Sequence, residues 1–311
     1  MTLVFFGTGA FGLPALEALL GSPHRVLAVV TAPEKPRGRH LKKSVSEIKS
    51  WATAHGLPVL EFSRGDESGL QKAIKRLGPD ALVVISFGVI LKEDLLKLPA
   101  LGALNVHSSL LPRYRGAAPI RRALLNGEQK TGVTVMRMTA RLDAGDILIQ
   151  KNLSVDPEEN AVGLEKRLAF LGAEALLESL KSLEDKTARF VPQNESEATY
   201  AAKIVKEEGR IDWAQGAEAV LNRVRAMAGW PGAFTFLKGK RLVILEARKA
   251  AETSKAQAPG KVDVGLEKNF LKVAVSDGWV ELTHVQLESK KALTASEFLK
   301  GTSLQSGDFL E

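Results

Sequence analysis

A short apolar run leads directly into a glycine turn in the stretch Leu3-Val4-Phe5-Phe6-Gly7-Thr8-Gly9-Ala10-Phe11-Gly12. Its first four residues are all apolar, which is typical of a strand covered on both faces of a sheet. Leu13–Leu20 then carries apolar residues at helical spacing. A strand, a tight turn and a helix in this order predict the first unit of a parallel α/β sheet.

The same alternation of strand and helix continues through the first half of the chain. Further apolar runs predict strands at Val26–Val30, Ala81–Ser86, Leu104–His107, Thr131–Met138 and Ile147–Leu153, and amphipathic patterns predict helices at Ser44–His55, Glu67–Leu77 and Asn160–Leu183. We therefore predict a Rossmann-like, doubly wound and mostly parallel sheet. Ser44 and Glu47 are spaced as a capping box for one helix, and Asp156 is expected to cap the long helix.

The glycines of the opening turn match Gly-x-Gly-x-x-Gly, a pattern that holds a pyrophosphate in dinucleotide-binding sheets. Such a site also needs an acidic residue about 20 positions later, at the end of the second strand, to bind the ribose. Here that strand ends Val29-Val30-Thr31-Ala32, and the nearest acid, Glu34, lies in a proline-rich loop. A nicotinamide oxidoreductase is therefore the disfavoured alternative, and we interpret the glycines as allowing a tight turn and close packing.

Composition narrows the classes of function. The chain has 311 residues, enough for two domains, and no cysteine, which excludes disulfide scaffolds, Cys-ligated zinc, iron–sulfur clusters and thiol catalysis. Its 43 Lys and Arg against 36 Asp and Glu give a net charge of +7, which favours an anionic partner such as nucleic acid. Much of this excess lies in residues 32–49, which hold six basic and two acidic side chains in a predicted exposed loop.

The sequence contains no pattern that is typical of a membrane-spanning segment or of a metal site. No apolar run approaches the roughly 20 residues that span a bilayer, and Met1–Gly7 lacks the basic start of a signal peptide. We therefore expect a cytoplasmic protein. Five histidines without cysteine show no spacing of metal ligands, so no metal is expected.

The character of the sequence changes near residue 205. We predict a catalytic domain over residues 1–202, a charged linker over 203–210 and a second domain over 211–311. The second domain has one helix at Ala217–Met227, and the rest is rich in strands.

Two strands of the second domain, Phe270–Val275 and Trp279–Val285, flank a turn that is typical of a hairpin. Several strands and short helices in about 100 residues predict a small β-rich barrel of the oligonucleotide-binding type. Trp213 and Trp230 are expected to pack in a core rather than stack on RNA.

Chemistry is concentrated after the strand Leu104–His107. Asn105 and His107 are two residues apart and therefore lie on one face of that strand, near the sheet edge where ligands bind in such folds. A histidine and an amide side by side can move protons and donate to an oxyanion. Asp143 or Asp146 could orient the histidine and stabilise its cationic form, and spacing alone does not choose between them.

These motifs carry a family resemblance. Asn105-x-His107-x-Ser109-Leu110-Leu111-Pro112, followed by Leu142-Asp143-x-Gly145-Asp146, resembles the formyltransferases that use 10-formyltetrahydrofolate. The flanking segments resemble the members of that family that act on methionyl-tRNA, and the likeness covers nearly the whole chain. These segments are Phe87–Leu91, Arg113–Ile120, Thr131–Met136, Glu207–Trp213 and Trp230-Pro231.

The resemblance implies roles for individual residues. It assigns catalysis to Asn105, His107 and Asp143, and so selects Asp143 over Asp146. It assigns the folate site to Ser109, Leu110, Leu111, Pro112, Phe87, Gly88, Val89, Ile90 and Leu91. It assigns contact with the acceptor end of the tRNA to the basic loop, where Arg39 matches the key arginine of the family. From their charge, Arg37, Lys42 and Lys43 in the same loop are further candidates for tRNA contact, and Lys206 and Arg210 in the linker are candidates for phosphate contacts.

The function implied by the resemblance is transfer of the formyl group from 10-formyltetrahydrofolate to the α-amine of methionyl-initiator-tRNA. No obligate protein partner is expected, and the default is a monomer. One alternative is a formyltransferase that acts on an amino sugar nucleotide or a purine precursor, for which the same three residues would serve. Another is a non-catalytic RNA-binding protein on a formyltransferase scaffold.

Overall fold

The computed structural model of the protein describes residues 1–33, 35–37, 42–44, 46–250, 257–265 and 267–311. This chain folds as two compact units, one of residues 1–119, 130–154 and 165–201, and the other of residues 120–129, 155–164 and 202–311. None of the helices in these ranges is both long and apolar enough to span a bilayer.

The elements up to residue 201 alternate as the apolar runs predict. The strands are β1 (Thr2–Gly7), β2 (Arg25–Thr31), β3 (Lys35–Arg37), β4 (Lys42–Ser44), β5 (Val59–Glu61), β6 (Ala81–Ile85), β7 (Ala103–His107), β8 (Lys130–Arg137) and β9 (Ile147–Ser154). The helices are α1 (Leu13–Leu20), α2 (Glu47–Ala54), α3 (Glu67–Leu77), α4 (Glu93–Leu96), α5 (Pro119–Leu125) and α6 (Ala161–Glu184).

The central sheet of the first unit is mixed. In the described residues, seven strands pair in the order β5-β2-β1-β6-β7-β8-β9. The pairs from β5 to β7 are parallel, whereas β8 and β9 run antiparallel beyond them. Phe5, Leu82 and Leu104 on the central strands are fully buried, as strands covered by helices on both faces require. The predicted Rossmann-like and mostly parallel sheet is confirmed.

The glycine turn after β1 allows close packing. A Cβ atom added to Gly7 would lie 2.7 Å from the Phe5 ring and 3.1 Å from the carbonyl oxygen of Ile85. One on Gly12 would lie 3.1 Å from the Phe5 ring and 3.4 Å from Ile48. Both glycines therefore stand where the turn and the start of α1 lie against neighbouring elements.

Two predicted helix caps are wrong. The N-cap of α2 is Ser46, whose hydroxyl accepts from the main-chain N–H of Lys49, because Ser44 is still extended in the hairpin between β3 and β4. The long helix α6 is capped by Asn160, whose side-chain oxygen accepts from the main-chain N–H groups of Val162 and Gly163 at 3.0 and 3.1 Å. Asp156 instead accepts from the N–H of Glu158, which closes a turn before the helix.

The second unit is antiparallel and rich in strands, which confirms the predicted fold class. Its helices and strands after residue 201 are α7 (Ala217–Met227), β10 (Ala233–Leu237), β11 (Lys240–Lys249), β12 (Val262–Val264), β13 (Leu271–Val275), β14 (Gly278–Leu287), β15 (Ala292–Thr294) and α8 (Ala295–Lys300). The described strands pair in the order β10-β11-β14-β13-β12, and β15 adds to β14. Helix α8 begins with a capping box between Thr294 and Glu297.

The two tryptophans singled out in the sequence have different surroundings. Trp213 is buried, and its indole N–H donates to the Thr235 hydroxyl at 3.0 Å. Trp230 is 55% exposed, so the expectation of core packing is wrong for this residue. The chain turns at Gly229 and Gly232, both at positive φ, between α7 and β10, and the indole therefore sits on a turn outside the strands.

Candidate active site

Strand β7 carries the amide and the imidazole on one face. Asn105 pairs across the sheet with Met136 of β8, and His107 pairs with Thr134. His107 is buried, with 7% of its side chain exposed, and Asn105 is half-buried. Because side chains alternate along a strand, both reach the same cleft.

The two ring nitrogens of His107 have different environments. Nε2 lies 2.9 Å from the carbonyl oxygen of Tyr114. A carbonyl can only accept, so Nε2 carries a hydrogen in this arrangement. Nδ1 faces the Oδ2 atom of Asp143 at 3.7 Å, which is an ion-pair distance rather than a hydrogen bond. Nδ1 is therefore the ring nitrogen that faces the carboxylate.

The turn between β8 and β9 brings Asp143 back to His107. Since β8 runs antiparallel to β7, it ends opposite Leu104, at the start of β7, and residues 138–146 must return toward His107. Asp143 has φ of +47°, and its Oδ2 accepts from the N–H of Gly116 at 2.8 Å. Of the two acids that spacing left open, Asp143 is the one that the structure brings to the imidazole. Asp146 instead accepts through its main-chain carbonyl from Arg137.

Sequence reasoning missed a polar cluster behind this turn. The Gln193 amide nitrogen donates to the carbonyl oxygens of Asp143 and Gly145 at 2.9 and 2.7 Å. Arg115, with 1% of its surface exposed, donates to the Gln193 oxygen and forms a two-pronged ion pair with Glu195. Hydrogen bonds from Arg115 hold the pKa of Glu195 at about 2. Arg115 lay within a family motif, but nothing in the sequence around Gln193 indicated a role.

The loop that follows β7 is held by a buried hydroxyl. Thr134 donates to the carbonyl of Ser109 at 2.7 Å and accepts from the N–H of Leu111 at 3.1 Å. The Gln150 amide donates to the Leu111 carbonyl and to the same hydroxyl. The Leu111-Pro112 peptide bond is cis. Ser109, Leu110, Leu111 and Pro112 are thus fixed beside the cleft, but they are not among the residues that line it.

The cleft in the first unit has a volume of about 540 Å³. Clefts of this size suit small organic ligands. One side is formed by Phe87, Gly88, Val89, Ile90 and Leu91, and the other residues include Asn105, His107, Ser108, Gly116, Met136, Met138, Arg141, Leu142 and Asp143. Phe87 packs edge-on against Phe6, with the ring centroids 5.4 Å apart, so this wall is anchored in the core. The lining of the cleft therefore combines apolar side chains with the polar groups of Asn105, His107 and Asp143.

The structure describes only some of the basic residues that are predicted to contact tRNA. Arg39 lies outside the described residues. Arg37 is in β3, and Lys42 and Lys43 are in β4, whose main chains pair as an antiparallel hairpin.

Lys206 and Arg210 belong to the second unit. Lys206 begins a 3-10 turn that ends at Gly209. The Arg210 guanidinium lies 5.6 Å from the centre of the Phe236 ring. No group of three or more His, Asp or Glu side chains in the described ranges is arranged to hold a metal ion.

Known proteins resemble the chain along its whole length. Residues 1–180 match the family model described as formyl transferase, and residues 203–303 match that of the formyl transferase C-terminal domain. The chain is 43% identical over 310 residues to the methionyl-tRNA formyltransferase of Solibacter usitatus, covering 100% of this chain and 98% of the relative. It is 42% identical over 310 residues to that of Moorella thermoacetica, covering 100% and 99%.

One solved structure shares the fold at low sequence identity. The N-formyltransferase of Helicobacter canadensis, in complex with folinic acid and dTDP-3-aminofucose, is 18% identical. The match covers 90% of this chain and 98% of that one, with a TM-score of 0.68.

Proposed function

This chain belongs to the formyltransferase family, among the methionyl-tRNA formyltransferases, and on that premise we propose that it transfers the formyl group of 10-formyltetrahydrofolate to the α-amine of methionyl-initiator-tRNA. The observation that carries the proposal is that Asn105, His107 and Asp143 all line one ligand-sized cleft, with His107 and Asp143 at ion-pair distance. Identity above 40% over the full length to methionyl-tRNA formyltransferases supports this acceptor over an amino sugar nucleotide, since the sugar N-formyltransferase is only 18% identical.

Asn105 serves the developing oxyanion. Attack of the amine on the formyl carbon turns the carbonyl oxygen into an oxyanion, and the amide N–H groups of Asn105 stabilise that charge. The amide lies on the rigid strand β7, so it needs no reorganisation as the charge develops. Loss of one such donor typically costs about 10²–10³ in rate.

His107 moves the protons. A new C–N bond forms as the α-amine attacks, the bond from the formyl carbon to N10 breaks, the amine gives up a proton and N10 receives one. Nε2 of His107 is committed to the Tyr114 carbonyl, so Nδ1 exchanges these protons. The Asp143 carboxylate, 3.7 Å from Nδ1, stabilises the imidazolium form. We propose no metal in this reaction.

The apolar wall of the cleft fits the ring system of the folate. Phe87, Ile90 and Leu91 offer apolar surface, and Phe87 is held against Phe6 in the core. The neighbouring segment Ser109–Pro112 is proposed to hold the rest of the folate, and its main chain is fixed through Thr134. A pocket with apolar walls and a few polar groups at its end is the usual design of such sites.

The tRNA is proposed to bind through basic residues of both predicted domains. Residues 1–202 would form the catalytic domain, 203–210 the linker and 211–311 the tRNA-binding domain. Arg39, Arg37, Lys42 and Lys43 would engage the acceptor end, and Lys206 and Arg210 would contact phosphates. Since this reaction precedes translation initiation, the proposed function implies action in the bacterial cytoplasm, and a monomer is proposed as the default state.

Product analysis tests the proposal directly. The purified protein is incubated with 10-formyltetrahydrofolate and methionyl-initiator-tRNA, and the amino acid released from the tRNA is identified. Formylmethionine is expected from the wild type, with at least a 10²-fold lower rate from Asn105→Ala. A protein that formylates an amino sugar nucleotide but not the tRNA would overturn the assignment, and tRNA binding without turnover would favour the non-catalytic alternative.

A further inference from the structure

Asp143 adopts a backbone conformation that needs support from its surroundings. Its φ of +47° lies in the left-handed region, which residues with a side chain occupy at a cost. The turn also depends on Gly145, where an added Cβ atom would collide with the carbonyl oxygen of Arg137. Such a conformation persists only when the neighbouring structure holds it, and it is commonly found at functional sites.

Gln193 supplies that support through a fully used amide. Both hydrogens of its Nε2 are directed at main-chain carbonyls, those of Asp143 at 2.9 Å and Gly145 at 2.7 Å. Its Oε1 accepts from the Nε and Nη2 atoms of Arg115 at 3.0 and 2.7 Å. An amide has two donors and two acceptor positions, so this set of bonds fixes its orientation.

Arg115 links the same residues into a closed ring. Its side chain is held by Gln193 and by Glu195, whose two oxygens accept at 3.0 and 3.1 Å. The next residue, Gly116, donates its N–H to the Asp143 carboxylate at 2.8 Å. The ring therefore binds Asp143 at two points. Gln193 binds its main-chain carbonyl, and the Gly116 N–H binds the carboxylate that faces His107.

We propose that Gln193 is a positioning residue for the reaction, which holds the Asp143 carboxylate at its distance from Nδ1 of His107 through the ring of Arg115, Gly116 and Asp143. The inference rests on the proposed function for its kinetic readout. Gln193 contacts none of the reacting atoms and acts only through Asp143. A misplacement of about 1 Å in such a group can cost on the order of 10² in rate.

Two substitutions separate the donors of Gln193 from its acceptors. Gln193→Glu keeps the oxygen that accepts from Arg115 but replaces the Nε2 donor by a carboxylate oxygen, which faces the carbonyls of Asp143 and Gly145. Gln193→Leu keeps the approximate shape and removes the hydrogen bonds to Arg115, Asp143 and Gly145. We expect both variants to lose about 10- to 100-fold in kcat, with the KM of each substrate within about twofold of wild type. Gln71→Leu, the same substitution on helix α3 and outside the lining of the cleft, is the matched control and should be unchanged.

A double-mutant cycle distinguishes positioning from general stability. Asp143→Asn removes the charge through which Gln193 is proposed to act, so Gln193→Leu should cost less than about twofold in kcat in that background. An equal loss in both backgrounds would overturn the proposal, and so would Gln193 variants with wild-type kcat. A wild type that makes no formylmethionine would instead remove the proposed function.

A crystal structure of Gln193→Leu gives a readout that does not depend on activity. We expect the turn at residues 139–146 to shift and the distance from Asp143 Oδ2 to His107 Nδ1 to exceed 5 Å, compared with 3.7 Å in the intact ring. An unchanged turn with the carboxylate at its original distance would overturn the proposal whatever the kinetics show.

Discussion

Replacing Thr134 by Val tests how much one buried hydroxyl contributes to the loop after β7. Thr134 is fully buried, and its hydroxyl donates to the Ser109 carbonyl and accepts from Leu111 N–H and from Gln150. Val has nearly the same shape, so the substitution removes hydrogen bonds and leaves little cavity. The Ser109 carbonyl and the Leu111 N–H then lose this partner inside the protein.

The expected cost follows from these two groups. An unsatisfied buried polar group costs about 1–3 kcal/mol, so the loss of two partners by Thr134→Val should lower the free energy of unfolding by about 2–6 kcal/mol. The loss is measured by urea denaturation, with the slope checked against wild type. Because the same bonds fix the segment proposed to hold the folate, the KM for 10-formyltetrahydrofolate should rise, and the KM for tRNA should not.

Thr31→Val is the matched control. Thr31 is also fully buried in a strand of the same sheet, but within the described part of the chain its hydroxyl has one hydrogen bond, to Ser46 at 3.0 Å. Its loss should cost about 0.5–1.5 kcal/mol and leave the KM for the folate unchanged. If Thr134→Val lowers the free energy of unfolding no more than this control does, the hydrogen bonds of Thr134 do not stabilise the loop as proposed.

Four further substitutions test separate parts of the account. His107→Ala should abolish turnover and retain tRNA binding, and substantial residual turnover would exclude the imidazole as the proton carrier. Arg39→Ala should weaken use of tRNA and reduce the salt dependence of binding by about one phosphate contact, with folate binding intact; an unchanged salt slope would contradict this. Trp230→Ala should weaken tRNA binding about tenfold if its exposed indole stacks on a base, and unchanged binding would leave it without that role. Burial lowers the pKa of His24 in the folded protein below its ordinary value of 6.5. The neutral imidazole therefore contributes to stability above pH 6.5, and this contribution is lost as the pH falls through the lower pKa of the folded state. Unfolding measured between pH 5 and 8 should therefore show a flatter profile for His24→Gln, and an identical profile would refute this.

Elements that depend on short-range pattern could be predicted from the sequence. The bounds of α1, α3 and α7 agree with the apolar periodicity, because each helix buries one face. The caps of α2 and α6 could not be predicted, because in each case two cap-forming residues lie a few positions apart. The choice of Ser46 depends on the hairpin between β3 and β4, a pairing that the local sequence does not indicate.

The candidate site shows the same limit. Asn105 and His107 could be placed together because a strand has a fixed alternation of side chains. The choice between Asp143 and Asp146 depends on how a nine-residue turn folds back, and spacing carries no such information. Gln193 is 50 residues from Asp143 in sequence, so its role appears only when the chain is folded.

The ring around Asp143 also affects when activity can arise during synthesis. Arg115 and Gln193 are separated by 78 residues, and the ribosome needs about 4–16 s to make that length at 5–20 residues per second. The strands up to β9 are complete once Ser154 has been made, so in the later part of this interval they exist without the residue that holds the turn. A nascent chain that stops before Gln193 would therefore have the central strands, the imidazole and the carboxylate, but not the fixed geometry between them. The sheet and the working site therefore form at different times during synthesis. A fragment that is selected only because it folds would lack the fixed geometry of the site.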